Sequence, residues 1–117
     1  MIFHITSGAA WDEAQQRGDY RAESLATEGF IHCSTLAQVL PVADNFYKGQ
    51  SGLILLEIEP TLLSSTLKWE PPSGGTPHGV PASDQFPHIY GPINLDSVVK
   101  VVDLNQNSNG TFTLPNL

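Results

Sequence analysis

The sequence of 117 residues contains five basic and twelve acidic side chains, so its formal net charge is −7 at pH 7. A chain of this length supports one domain of ordinary size, which we place at residues 1–117. The negative charge repels phosphate backbones and anionic lipid surfaces, so we expect neither a nucleic-acid nor a membrane partner. No apolar run approaches the roughly 20 residues of a membrane span and no leader-like segment opens the sequence, which predicts a cytoplasmic protein.

The first elements along the chain are a strand and a helix. Ile2 to Thr6 is strand-like, and Ser7 then stands where it can cap a helix from about Ala9 to Arg17. Gly18 follows at the position where helices often end. Residues 19–28 are polar and lack a clear period, so we expect them to be irregular.

The middle of the chain predicts a second strand and a second helix. The segment 29–35 alternates between apolar and polar side chains and therefore indicates a strand. Thr35 and Gln38 form a capping-box pattern at the start of a helix. Pro41 lies several residues inside that helix and predicts a kink, and Gly49 marks its end.

The second half of the chain predicts strands and one long loop. Residues 53–59 are a continuous apolar run that becomes alternating, 66–70 form a shorter strand, and 99–104 form another. Five of the nine prolines fall between residues 71 and 87, so this stretch cannot be regular, and we expect a mobile flap. Residues 105–117 are a turn and tail. The order of elements is typical of an α+β domain.

Three of the four histidines begin a triplet in which a hydroxyl-bearing residue comes two positions later. The triplets are His4-Ile5-Thr6, His32-Cys33-Ser34 and His88-Ile89-Tyr90. Because alternate side chains of a strand share a face, each histidine points the same way as its hydroxyl partner. We therefore predict that the three polar faces line one cleft. The alternative is that these histidines are hydrogen-bonded for structural reasons alone.

Other reactive residues favour structural roles. Cys33 faces away from His32 along the strand, so the two cannot form a thiolate–imidazole pair, and we expect a buried thiol. The histidines and the cysteine lack metal-ligand spacing, so no metal is expected. Glu57, Glu59 and Glu70 are interpreted as solvated carboxylates, and the alternative is a role as general base or ribose ligand.

Arg21 has two interpretations. It lies shortly before the histidine strand at residue 32, where it can pair with a pyrophosphate. The alternative is a surface ion pair with Glu23.

The motifs GFIHCST (29–35) and FPHIYGP (86–92), with the segments 2–6 and 53–60, closely resemble the bacterial "domain of unknown function 952" family. The resemblance covers roughly residues 1–104. The function of that family is not established, so the resemblance implies a fold without a reaction.

A more distant resemblance is to the NAD-binding core of ADP-ribosyltransferases, and most of all to their RNA 2′-phosphotransferase branch. In that resemblance His4 and Thr6 match the motif whose histidine holds the ribose next to nicotinamide, and Ser34 with His32 matches the strand beside the nicotinamide ring. The sequence differs from the superfamily where Ile5 replaces a glycine, and where His88-Ile89-Tyr90 lacks a glutamate. The resemblance implies two small, mostly antiparallel sheets that form a cleft, with two helices packed against them.

Two functions remain open. In the first, the cleft binds NAD⁺ or a related nucleotide and transfers ADP-ribose: His4, His32 and His88 would be catalytic, and Thr6, Arg21, Ser34 and Tyr90 would bind the cofactor. In the second, the same cleft is a non-catalytic module for a small ligand. The negative charge argues against RNA processing. The sequence does not indicate an oligomeric state.

Overall fold

The computed structural model describes residues 1–117 as an α+β domain built from eight strands and three α-helices. In chain order these are β1 (Ile2–Ser7), α1 (Gly8–Arg17), β2 (Asp19–Tyr20), α2 (Glu23–Thr27), β3 (Ile31–His32), α3 (Leu36–Phe46), β4 (Leu53–Ile58), β5 (Thr66–Glu70), β6 (Phe86–Tyr90), β7 (Ile93–Asn94) and β8 (Val98–Asp103). No helix is long and apolar enough to cross a membrane.

The strands form three antiparallel sheets, ordered β1-β4-β8, β3-β6-β5 and β2-β7. We expected two sheets and two helices, and this was wrong, because the structure has three sheets and three α-helices. The additional elements, β2 and α2, lie in residues 19–28, which the polar composition marked as irregular. Both are very short, and their pairing with distant residues cannot be detected from local periodicity.

The central strand β4 separates two hydrophobic cores. Ile54, Leu56 and Ile58 pack into one core, while Leu53 and Leu55 pack into the other. Because both faces of the strand are covered, its sequence is continuously apolar from residue 53 to residue 56. The predicted strand is confirmed, and its apolar run is explained by this double coverage.

Both predicted helix starts are found where the sequence placed them. The Ala10 N–H donates to Ser7 Oγ over 3.1 Å, and Gly18 ends α1 with a φ of 104°, in the left-handed region that glycine tolerates. At the start of α3, the Thr35 N–H donates to Gln38 Oε1 over 3.0 Å. Pro41 lies inside α3, which ends at Phe46, before Gly49.

The strand predicted for residues 29–35 is much shorter in the structure. Only Ile31 and His32 pair with β6, and the Cys33 N–H then donates to the Pro87 carbonyl over 3.0 Å. Ser34 leaves that sheet and pairs with Phe3 of β1 in an isolated antiparallel bridge, with two N–H···O bonds of 2.8 Å. These few residues therefore form the corner that joins the two larger sheets.

Residues 71–85 contain no helix or strand, as their prolines and glycines predict. The loop is nevertheless attached to α3 at two points. The buried Gln38 side chain donates through Nε2 to the Gln85 carbonyl over 2.9 Å, and the Asn45 side chain donates to the His78 carbonyl over 2.9 Å. The Pro77 side chain is buried. Gln38 thus caps α3 with its oxygen and holds the loop with its nitrogen.

We predict that Gln38→Ala loosens residues 71–85 while the sheets remain intact. The substitution removes the donor to the Gln85 carbonyl and the acceptor for the helix cap, which costs about 1–3 kcal/mol in free energy of unfolding. Hydrogen exchange should accelerate at the amides of the loop and the first turn of α3. Gln15→Ala, on the exposed side of α1, is the control. Unchanged exchange in the loop would show that Gln38 does not hold it.

Candidate functional site

A cleft of about 510 Å³ opens between the two larger sheets. Five parts of the chain form its walls. They are residues 3–7 of β1, residues 20, 22–24 and 28 around α2, residues 32–34 of the corner, residues 42, 46, 47, 50 and 53 from α3 to the start of β4, and residues 72, 73, 75, 77, 86 and 88 of the loop and β6. The volume lies within the ordinary range for small-molecule sites, and much of the lining is apolar with a few polar groups.

Five of the seven site residues expected from sequence lie on this cleft: His4, Thr6, His32, Ser34 and His88. The other two do not line it. Arg21 is exposed and pairs with Asp19, with Nε 3.1 Å from Oδ1, so neither the expected pyrophosphate position nor the expected Glu23 pair is found. Tyr90 points to Glu70 on the neighbouring strand.

His4 is buried in a hydrogen-bonded network at the floor of the cleft. Its Nδ1 lies 2.6 Å from the His32 carbonyl oxygen, and its Nε2 lies 2.8 Å from Tyr20 Oη, which is 2.9 Å from Thr6 Oγ1. A carbonyl can only accept, so the ring proton of neutral His4 is on Nδ1. Nε2 then accepts the Tyr20 proton, and Thr6 donates to Tyr20. Every member of the network is satisfied.

Burial controls the ionisation of this network. Loss of solvation lowers the pKa of His4 to about 4 and raises the pKa of Tyr20 to about 12. Both side chains are therefore neutral at neutral pH. Since both His4 ring nitrogens are used within the protein, the imidazole contributes a fixed, uncharged support for Thr6 and Tyr20.

The second histidine, His32, is paired with a carboxylate at the cleft wall. Its Nε2 lies 2.9 Å from Glu28 Oε2, and the other oxygen of Glu28 accepts from Ser73 Oγ over 3.1 Å. The hydrogen bond from His32 lowers the pKa of Glu28. Glu28 thus links the histidine corner to the loop that covers the cleft.

The third histidine, His88, is paired with a carboxylate on β5. Its Nδ1 lies 2.9 Å from Glu70 Oε1, which also accepts from the Tyr90 hydroxyl. These bonds, first that from Tyr90 and then that from His88, lower the pKa of Glu70, and the same contact raises the pKa of Tyr90. Phe30 stacks on the His88 ring with centroids 4.2 Å apart.

The remaining ring nitrogen of His88, Nε2, has no hydrogen-bond partner within the chain, yet no unpartnered side-chain nitrogen or oxygen is buried. This atom therefore reaches accessible space, and the space that His88 lines is the cleft. Ser34 Oγ is in the same situation, lining the cleft with no partner in the chain.

The charges on the cleft wall are acidic. Glu23 and Glu28 line it, whereas none of the five lysines and arginines does. No group of three or more His, Cys, Asp or Glu side chains is arranged to hold a metal ion. The site therefore favours uncharged or cationic ligands, and its chemistry rests on imidazole, hydroxyl and carboxylate groups.

A family model described as a protein of unknown function (DUF952) matches residues 5–101. The chain belongs to this family. Two crystal structures of protein CC0527 from Caulobacter crescentus, one of a double mutant, are 32% identical to it, with a TM-score of 0.82 over 97% of this chain and 93% of that one. The solution NMR structure of CC0527 has a TM-score of 0.74, 32% identity and coverages of 94% and 89%. No curated protein matches the sequence.

Sequence reasoning on this DUF952 chain missed Tyr20, Glu28 and Glu70. Glu70 was interpreted as a solvated carboxylate, and its side chain is 34% exposed, but it also accepts from two side chains of β6, which the sequence did not predict. The one local signal was the spacing of Glu28 and His32, four residues apart. Tyr20 lies in a segment that we expected to be irregular, so the local sequence pattern did not predict its contact with His4.

We predict that His4 makes the folded state sensitive to mild acid. Its pKa falls from 6.5 to about 4 on folding, so between these values the unfolded chain binds more protons. The free energy of unfolding should therefore decrease as pH falls from 6.5 toward 4, by up to about 1.4 kcal/mol per pH unit. Urea unfolding between about pH 7 and pH 5 measures this slope.

His4→Gln should reduce that slope while lowering stability at all pH values, because the bond to the His32 carbonyl is lost. His78→Gln, in the exposed part of the loop, should leave the slope unchanged. Equal slopes in His4→Gln and the unsubstituted protein would show that His4 is not responsible.

We predict that Cys33 is inert in the folded protein. The thiol is free and buried, and burial raises its pKa, so little thiolate is present for reaction. Iodoacetamide should label the native chain slowly and the urea-unfolded chain rapidly. Cys33→Ala should cost about 1 kcal/mol in free energy of unfolding. Rapid stoichiometric labelling of native protein at neutral pH would contradict the burial of the thiol.

Proposed function

We propose that this protein binds NAD⁺ or a related nucleotide in the cleft by its nicotinamide–ribose end and transfers the ADP-ribosyl group. The observation that carries the proposal is an open strand edge inside an acidic, histidine-lined cleft. The fold implied by this proposal is that of the ADP-ribosyltransferase core, in which two small sheets diverge around the ligand.

The open edge belongs to β1. The Phe3 N–H and carbonyl both bond to Ser34, away from β4. Backbone groups of an antiparallel strand alternate between its two edges, so the N–H and carbonyl of Ile5 point to the same edge as those of Phe3. No named strand lies beside β1 there, and Ile5 lines the cleft. This donor–acceptor pair is complementary to a primary carboxamide such as that of nicotinamide.

Hydroxyl groups next to this edge are placed to bind a ribose. Ser34 Oγ has no partner in the chain, and Thr6 Oγ1 keeps an acceptor lone pair after donating to Tyr20. His4, which the resemblance assigned to the ribose, acts in this proposal through Thr6 and Tyr20, since both of its nitrogens are engaged.

The acidic charge of the cleft wall favours binding of the nicotinamide end of NAD⁺ over binding of its pyrophosphate. Nicotinamide carries a positive charge while it is attached to ribose, and the charged side chains of the cleft wall are Glu23 and Glu28. Because the cleft has no basic side chain, the phosphates of a dinucleotide are expected to lie outside it, in solvent.

A non-catalytic module for a small uncharged ligand is the second candidate. It is favoured by the same lack of basic side chains and by the absence of a glutamate in the His88-Ile89-Tyr90 triplet. In that case the Ile5 backbone and the Ser34 hydroxyl bind an amide- or hydroxyl-bearing molecule and no bond is broken.

Calorimetry and nicotinamide release distinguish the two candidates. We predict that NAD⁺ and nicotinamide riboside bind with similar affinity, that ADP-ribose binds more weakly, and that free nicotinamide accumulates with NAD⁺. Ser34→Ala should weaken NAD⁺ binding about tenfold, the loss expected for one hydrogen bond. Ser51→Ala, outside the cleft, is the matched control.

Two results would count against the transferase. If ADP-ribose binds as tightly as NAD⁺, then the nicotinamide end is not what the cleft recognises. If NAD⁺ neither binds nor releases nicotinamide, then the ligand-binding module is the better account. Thermal-shift screening would identify its ligand, because a ligand at 100 times its Kd adds about 2.7 kcal/mol to the free energy of unfolding.

A further inference from the structure

We propose that the acceptor is water, activated by His88 as a general base, so that the protein is a glycohydrolase acting on cationic N-ribosyl compounds. This inference rests on the proposed function and specifies its acceptor and its substrate class. It is carried by the orientation of one buried imidazole, which has one nitrogen fixed by a carboxylate and the other open to the cleft.

The His88 ring is held by two neighbours. Glu70 Oε1 accepts a hydrogen bond from Nδ1 over 2.9 Å, Phe30 stacks on the ring with an interplanar angle of 24°, and the residue is only 2% exposed. An imidazole that donates from Nδ1 to a carboxylate has its lone pair on Nε2 when neutral. The accessible space that His88 lines is the cleft, and we infer that this lone pair accepts a proton there without movement of the ring.

Several charged or titratable side chains lie around His88. Glu70 is on β5, and the residues directly opposite His88 on the neighbouring strands are Lys68 of β5 and His32 of β3. The ring centroids of His32 and His88 are 5.5 Å apart, and His32 is itself bonded to Glu28. The Glu70 carboxylate stabilises the imidazolium that forms when His88 accepts a proton. It also fixes the ring orientation, which makes Glu70 a positioning residue.

The step balances without any further reactant. The bond between C1′ of the ribose and the ring nitrogen of nicotinamide breaks, and its electron pair neutralises the pyridinium. The water oxygen forms a bond to C1′, and the water proton goes to His88 Nε2 and from there to solvent. NAD⁺ and water thus give ADP-ribose, nicotinamide and one proton.

The loop favours water over a larger acceptor. Ser73 and Pro77 of residues 71–85 line the cleft, and Ser73 is bonded to Glu28 beside His32. The loop is attached to α3 at both Gln38 and Asn45, so the part of the cleft wall that it forms is held in place. A fixed wall hinders a protein or nucleic-acid acceptor more than it hinders water.

His88→Asn is the decisive variant. The asparagine amide can donate to Glu70 in place of Nδ1, but it offers no base at the position of Nε2. We predict that kcat for release of ADP-ribose falls about 10²- to 10⁴-fold, while the Kd for NAD⁺ changes less than twofold. In ¹⁸O-labelled water the unsubstituted protein should place the label on C1′ of ADP-ribose. An unchanged kcat in His88→Asn would overturn the proposal.

Glu70→Gln provides a second measurement that does not depend on the folding of His88→Asn. The amide oxygen can still accept from Nδ1 without the negative charge, so kcat should fall about tenfold at unchanged KM. Glu57→Gln, outside the cleft, is the control for loss of one carboxylate. A change in KM alone, or none, would overturn the positioning role.

The two proposals fail in different ways. If NAD⁺ does not bind, then both the transferase and the glycohydrolase are excluded. If NAD⁺ binds and nicotinamide is released without free ADP-ribose, then the transferase stands and water is not the acceptor. A kcat for nicotinamide riboside within tenfold of that for NAD⁺ would support the substrate class, whereas a requirement for the pyrophosphate would overturn it.

Discussion

The cleft exists because β1 is paired along its whole length on one edge and at a single residue on the other. Phe3 and Ser34 exchange two backbone hydrogen bonds of 2.8 Å, the one backbone pair that joins β1 to the chain of the second sheet. The His4 side chain adds a bond from Nδ1 to the His32 carbonyl. A longer pairing would make one continuous sheet, with the backbone of Ile5 covered by a neighbouring strand. The two sheets instead diverge beyond the bridge, and His4 of β1 and His32 of the corner both line the opening between them.

The polar side chains of β1 must be hydrogen-bonded because the strand is buried on both faces. Phe3 and Ile5 pack into one core, and His4 and Thr6 are buried on the other face. A buried polar group without a partner costs about 1–3 kcal/mol, so both side chains need hydrogen bonds. Tyr20 bonds to both of them, and the His32 carbonyl accepts from His4 Nδ1. The pairing of β2 with β7 holds the tyrosine at the floor of the cleft.

The sequence predicts the local features of this fold and misses those that depend on register. The caps of α1, the run of β4 and the irregular loop each follow from residues close together in the chain, and all were predicted. The Glu70–His88 contact joins residues 18 positions apart on adjacent strands, and it forms because the β5–β6 register places both on one face. Alternation also predicted that one face of β1 would be open, whereas tertiary packing buries both, which no single strand reveals.

The carboxylates of the site act on ligand choice as well as on the histidines. Glu28 and Glu70 have lowered pKa values because each accepts hydrogen bonds from its partners, so both remain ionised well below neutral pH. Each carboxylate thus places a negative charge beside the histidine from which it accepts, and no lysine or arginine lines the cleft. Under the proposed function, the positive charge that N-ribosyl nicotinamide loses on reaction would end on the imidazole beside Glu70, whereas an anionic ligand would gain nothing from the two carboxylates. The bonds of Glu28 to His32 and of Glu70 to His88 thus orient the two imidazoles and also set the negative charge that the site presents to a ligand.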